Sequence, residues 1–88
     1  MSNKYSCLLI TPQGKIFDDQ VESVLAPGSE GLFEVLASHT PFISTLKKGV
    51  LKIVHNAQAR LFDIGSGILE VGPTGKVLIL ADSASPHA

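Results

Sequence analysis

The sequence predicts an all-β protein, an antiparallel β-sandwich of about ten short strands. Short extended segments recur at roughly 8–12-residue spacing, and each is bounded by Gly, Pro, Asn or Asp. No stretch has a convincing helical pattern. The best, Leu51 to Leu61, contains Asn56 and several β-branched residues and has no N-cap. Eighty-eight residues suit a single domain, residues 1–88, with no repeat and no linker.

Tyr5 to Thr11 reads as the first strand, ended by Pro12-Gln13-Gly14. Lys15 to Phe17 restarts extended structure, Asp18-Asp19 reads as a solvated polar break, and Val21 to Ala26 is the next strand. The stretch from Ala26 to Pro41 is the richest in special backbone positions. Pro27 fixes φ and Gly28 can take positive φ, which suits the centre of a type II turn. Leu32 to Leu36 follows as a strand with Phe33 and Val35 on one face and Leu32, Glu34 and Leu36 on the other. Ser38-His39-Thr40-Pro41 closes the stretch, and Pro41 holds Thr40 out of the helical region.

Phe42 to Leu46 is a brief strand before the turn Lys47-Lys48-Gly49. Val50 to His55 and Ala59 to Ile64 form a hairpin across Asn56-Ala57-Gln58. Gly65-Ser66-Gly67 turns the chain, and Ile68 to Val71 and Lys76 to Ala81 form a second hairpin across Gly72-Pro73-Thr74-Gly75. Residues 83–88 read as a frayed polar tail.

Some strands are apolar on both faces: Cys7-Leu8-Leu9-Ile10, Val24-Leu25-Ala26 and Val77-Leu78-Ile79-Leu80-Ala81. A sandwich covers one face of each sheet, so the surplus predicts an exposed apolar surface for a partner.

The net charge of −1, from seven Lys and Arg against eight Asp and Glu, argues against nucleic acid and against a polybasic grip on lipid. Lys47, Lys48 and Lys52 make only a small positive cluster, and five aromatics give little base-stacking surface. The single Cys7 reads as a buried, inert thiol in a chain kept in a reducing compartment. The N-terminus lacks a signal-peptide core, and no apolar run approaches the roughly 20 residues of a membrane span.

Catalytic chemistry finds little support. His39, His55 and His87 are far apart, with no second ligand at metal-site spacing. His39 with Glu34 and Thr40 could be drawn as a base with its orienting carboxylate; a loop histidine bonded to backbone groups is the simpler reading. Gly28-Ser29-Glu30-Gly31 and Gly65-Ser66-Gly67 lack the Lys-Ser/Thr and helix of a phosphate loop, and read as turns or bulges. The residues describe a non-catalytic binding module. Rival classes are a carrier domain with a modified lysine at Lys47-Lys48-Gly49, an OB-fold nucleic-acid binder, or another all-β interaction domain.

Several blocks then resemble one family in order along the chain. Pro27-Gly28-Ser29-Glu30-Gly31-Leu32-Phe33-Glu34-Val35-Leu36 with His39-Thr40-Pro41 is similar to a P-G-x-E-G-x-F-x-V-L-x-x-H-x-P signature. Leu46-Lys47-Lys48-Gly49-Val50, Gly65-Ser66-Gly67-Ile68-Leu69-Glu70-Val71 and Lys76-Val77-Leu78-Ile79-Leu80-Ala81-Asp82 resemble further blocks, as do Thr11-Pro12-Gln13-Gly14 and Phe17. The family is the epsilon subunit of F-type ATP synthases, named delta in mitochondria. Ala37-Ser38 stands where that family commonly has Pro-Gly, and Ser66 departs from its Gly-Gly pair. Its members usually continue into a helical hairpin that resists ATP hydrolysis and in some cases binds ATP; neither property is expected of this chain.

The resemblance implies a ten-stranded sandwich in the central stalk of a proton-translocating enzyme, without catalytic residues or cofactors. It implies binding to the gamma subunit and to the c ring, with no nucleic acid, no nucleotide and no direct membrane insertion. The location implied is the cytoplasmic face of a bacterial inner membrane, as a peripheral protein. Gly28, Ser29, Glu30 and Gly31 would face the c ring, with Glu30 in a charge-assisted contact. His39 and Pro41 would brace a loop, and Leu8, Ile10 and Leu78 would face gamma.

Overall fold

The computed structural model describes residues 3–38 and 40–88. These form ten strands: β1 (Tyr5–Thr11), β2 (Gly14–Val21), β3 (Ser23–Gly28), β4 (Gly31–Leu36), β5 (Phe42–Leu46), β6 (Gly49–His55), β7 (Gln58–Ile64), β8 (Gly67–Val71), β9 (Val77–Ala81) and β10 (Ala84–Pro86). Hydrogen bonding runs unbroken along β10-β7-β6-β3-β5-β8-β9-β1-β2, with β4 added on β3. The path folds over at β3 and β5, which share the pair Gly28–Leu46. Two layers therefore face each other in a barrel-like sandwich. All pairings among the described residues are antiparallel except β1 with β9, which is parallel.

The period-2 pattern decides what goes inside. Leu9, Val24, Ala26, Leu51, Ile53, Leu69 and Ile79 are wholly buried, with Cys7, Val35, Phe62 and Ile64 around them. Each large aliphatic side chain removed from water contributes about 1.5–3 kcal/mol. The open seam between β2 and the other layer is closed by side chains. His55 Nδ1 donates to the Gln20 carbonyl at 3.0 Å, its ring stands edge-on to Phe17 at 5.5 Å, and the Arg60 guanidinium lies 5.5 Å over Phe17 and 5.3 Å over Phe62. No helix of the described residues is long and apolar enough to cross a membrane.

Three expectations are corrected. Asp18 and Asp19 lie inside β2, and the bend falls after Val21. β2 is an edge strand, so consecutive polar residues can both reach water; its bulge, opposite Leu9 and Ile10, lies at Ile16, before Asp18 and Asp19. Lys15 pairs with Asp18 at 3.1 Å, and Asp19 approaches His55 at 3.3 Å.

Pro27 and Gly28 lie inside β3, opposite Leu32 and Gly31, and the turn is Ser29-Glu30. Proline is tolerated there because one edge of β3 passes from β6, at Ser23–Leu25, to β5, at Gly28. The Pro27 carbonyl still accepts a bond, from the Lys47 amide at 2.9 Å.

The tail is not frayed over residues 84–86. They form β10 along β7, and His87 Nδ1 meets Asp63 at 2.8 Å. Ser38 takes φ 68°, the left-handed conformation that glycine adopts without Cβ strain.

Candidate functional site

At one end of the sandwich the β3–β4 hairpin closes through the pair Gly28–Gly31, with exposed Ser29 and Glu30 as its tip. Gly31 has φ 131°, a region open to little but glycine. A Cβ on Gly28 would stand 2.7 Å from the Gly31 carbonyl and 2.8 Å from the Phe33 ring. The tip is tied to β5 twice: the Ser29 amide donates to the Thr45 carbonyl at 3.0 Å, and Thr45 Oγ1 meets Ser29 Oγ at 2.8 Å. The Lys47 bond to Pro27 brings the exposed Lys47-Lys48 turn to the same end. Of the residues expected at a ring-facing edge, Gly28 and Gly31 shape the tip, while Ser29 and Glu30 present it to solvent.

On the outer face of the layer β5-β8-β9-β1-β2, register assembles an apolar surface. Residues directly opposite one another share a face. Leu8 stands opposite Leu78, and Ile10 opposite Leu80. Ile68 stands opposite Leu80 on the far side, and Glu70 opposite Leu78. Ile43 continues the second row beyond Glu70. Leu8, Ile10 and Leu78, picked out from sequence, are half-buried and contiguous. Leu80 and Ile68 are each 45% exposed and Ile43 is 69% exposed; these extend the surface and were not singled out. Leu80 was visible within an apolar run, whereas Ile68 and Ile43 sit in ordinary alternation and join the patch only through pairing.

The face carries two shallow depressions, one lined by Ile10, Pro12, Ile68 and Leu80, the other by Leu8, Leu78, Asp18 and Lys76. Leu25, from the doubly apolar run Val24-Leu25-Ala26, lies between Glu34 and Lys52 on the other layer and does not join this surface.

Titratable groups are dispersed. Cys7 is buried, and its thiol is pushed up to about 12 by burial and then by the nearby Asp18 carboxylate. It is a packing residue, as expected. Tyr5 is raised above its ordinary 10.0 mainly by burial, then by Cys7 and Glu34. His55 braces β2 to β6, and His87 pairs with Asp63. His39 lies outside the described residues; Glu34 is exposed on β4, and Pro41 is exposed just before β5. Among the described residues no group of three or more His, Cys, Asp or Glu could hold a metal ion. The arrangement can bind through a face and a tip.

The family model for the ATP synthase delta/epsilon chain β-sandwich domain matches residues 4–87. The chain is 43% identical over 76 residues to the ATP synthase epsilon chain of Caulobacter vibrioides, covering 86% of this chain and 87% of that one. It is 36% identical over 83 residues to that of Myxococcus xanthus, covering 94% and 60%. It is 46% identical over 77 residues to that of Campylobacter curvus, covering 86% and 59%. It thus spans nearly all of one relative and about three-fifths of the others. A chain of the Euglena gracilis mitochondrial ATP synthase superposes with TM-score 0.90 at 24% identity, covering 98% of this chain and 55% of that one. A chain of the Tetrahymena thermophila mitochondrial ATP synthase central stalk and c-ring superposes with TM-score 0.81 at 19% identity, covering 96% and 67%. At these identities the likeness is one of fold.

Proposed function

The chain belongs to the ATP synthase delta/epsilon chain β-sandwich family, and on that premise we propose that it is a non-catalytic rotor subunit of the central stalk. In this role the whole chain acts as one domain. It binds the gamma subunit and the c ring, and holds the two so that proton flow is coupled to ATP synthesis. It works as a peripheral protein on the cytoplasmic face of a bacterial inner membrane and binds no nucleotide. Family membership removes the alternative of an all-β domain unrelated to ATP synthase.

The observation that carries this function is the continuous outer face of Leu8, Ile10, Ile68, Leu78 and Leu80. A domain this small gains little by leaving so much aliphatic surface in water, and coverage by gamma would remove it. The Ser29-Glu30 tip is the polar counterpart. It suits polar or basic loops of the ring, where a carboxylate can form a charge-assisted bond that fixes orientation.

The test is size-exclusion chromatography of the purified chain with the gamma subunit. Co-elution as a 1:1 complex at physiological salt is expected; independent migration of the two would overturn the proposal.

A further inference from the structure

The apolar face and the tip are not separate features. One cross-strand row runs from Ile10 to Leu80, from Leu80 to Ile68 and from Ile68 to Thr45. It continues through the Thr45 and Ser29 hydroxyls, 2.8 Å apart, to the residue beside Glu30. Thr45 stands at the corner, on the apolar row through its place in β5 and on the tip through its side chain and its carbonyl. We propose that Thr45 is a positioning residue that fixes the angle of the Ser29-Glu30 tip to the apolar face. The two contact surfaces then meet their partners as one rigid unit. This rests on the assignment of the face to gamma and the tip to the c ring.

The geometry explains why such a residue is needed. The tip has two residues, and among the described residues β4 pairs only with β3. Held by its own ladder alone, a hairpin end swings on the nanosecond-to-microsecond scale. Thr45 supplies two attachment points on one residue, a carbonyl accepting from the Ser29 amide and a hydroxyl meeting Ser29 Oγ. Two points prevent rotation of the tip about the strand axis where one would act as a pivot. The Lys47 amide bond to Pro27 adds a third point on the other side of the Gly28–Leu46 pair. Ser44 Oγ also lies 3.1 Å from the Thr45 carbonyl, a second donor on that acceptor. All of these hydroxyls are at or near the surface, so they contribute little to folding. Their effect is on direction, and a lever arm loses output when its end turns.

The experiment uses the assembled ATP synthase in inverted vesicles and reads ATP-driven proton pumping per ATP hydrolysed. Thr45→Val removes the hydroxyl and keeps shape and strand preference. It is expected to lower the pumping ratio about two- to five-fold, the scale of one lost hydrogen bond. Thermal midpoint and gamma binding should be unchanged, and Thr45→Ser should restore the ratio. Glu30→Lys, which reverses the tip charge without touching the clamp, should lower the ratio as well. If Glu30→Lys lowers it and Thr45→Val does not, the tip matters but Thr45 does not position it, and the proposal fails. Should Glu30→Lys leave the ratio unchanged, the ring-facing assignment fails and the proposal with it. Failure of Thr45→Ser to restore the ratio, or loss of gamma binding or of the thermal midpoint in Thr45→Val, also overturns it.

Discussion

The Tyr5 hydroxyl donates to the backbone carbonyl of Val35 at 2.6 Å, joining β1 to the edge strand β4 across the sandwich. The bond is buried, and Val35 is itself almost fully enclosed. Val35 stands opposite Val24 on β3, so the Tyr5 hydroxyl adds a side-chain bond from the facing layer to a strand position that is already paired. Tyr5→Phe keeps the ring and removes this bond between the layers. It is expected to cost about 1–2 kcal/mol, or a fall in Tm of roughly 4–15 °C for a domain of this size, measured by thermal unfolding. A change below one degree would mean that water replaces the hydroxyl.

Stability should fall at alkaline pH for a stated reason. Cys7 and Tyr5 both hold their protons in the folded state beyond the pH at which the unfolded chain releases them. Below about pH 9 both groups are protonated in either state and the contribution is complete. Above the ordinary Cys value of 9.0 the unfolded chain binds fewer protons, so stability declines as pH rises toward about 12. The slope approaches roughly 1.4 kcal/mol per pH unit for each such group. Urea titrations at stepped pH should follow this decline, and Cys7→Ala should make it shallower between pH 9 and 10. An unchanged slope in that variant would exclude the thiol.

Three non-glycine residues among the described residues occupy conformations that suit glycine. In the β6–β7 turn Asn56 and Ala57 have φ 52° and 62°, the signs of a type I′ turn, and Ser38 has φ 68°. Asparagine tolerates this region; alanine and serine pay Cβ strain. Ala57→Gly and Ser38→Gly should each raise stability by about 0.5–1 kcal/mol, net of the extra freedom glycine gains when unfolded. Denaturant midpoints check both, and a lower midpoint for Ala57→Gly would contradict the turn geometry.

Leu80 lies at the centre of the outer apolar row between Ile10 and Ile68. It is 45% exposed, so Leu80→Glu should change folding stability by less than about 1 kcal/mol. Placed in a covered apolar contact, the same carboxylate would be buried without a partner. Affinity for gamma should fall at least tenfold in a calorimetric titration. Full affinity in a folded variant would move the gamma contact off this face.

Strand punctuation was legible because turns demand particular residues. Phe42–Leu46 was bounded to the residue by Pro41 and Lys47, and the β6–β7 hairpin needed its turn shortened to Asn56-Ala57 and its first strand extended back to Gly49. Asp18-Asp19 misled because consecutive carboxylates usually mark a turn, while an edge strand can expose both. Pro27 misled for a related reason: its missing amide looks like a strand end until β6 is seen handing the β3 edge to β5. Ala84-Ser85-Pro86 carries no strand signature of its own and is ordered by the open edge of β7. The candidate surface was half legible. Leu8, Ile10 and Leu78 stood out as surplus apolar residues, but Ile68, Ile43 and the corner residue Thr45 depend on cross-strand register.

The parallel pairing of β1 with β9 sets the order in which the protein can form. Antiparallel hairpins such as β6–β7 and β8–β9 have partners a few residues away and can close early. β1 can pair with β2 as soon as both exist, but its other edge waits for Val77 to Leu80. A ribosome delivers β1 well before its second neighbour. Until then an apolar strand edge is open to any other nascent chain. High loop-closure cost places folding in the millisecond-to-second range of non-local β-proteins. Production of the subunit should therefore be most sensitive to crowding and chaperone supply in the interval before β9 emerges.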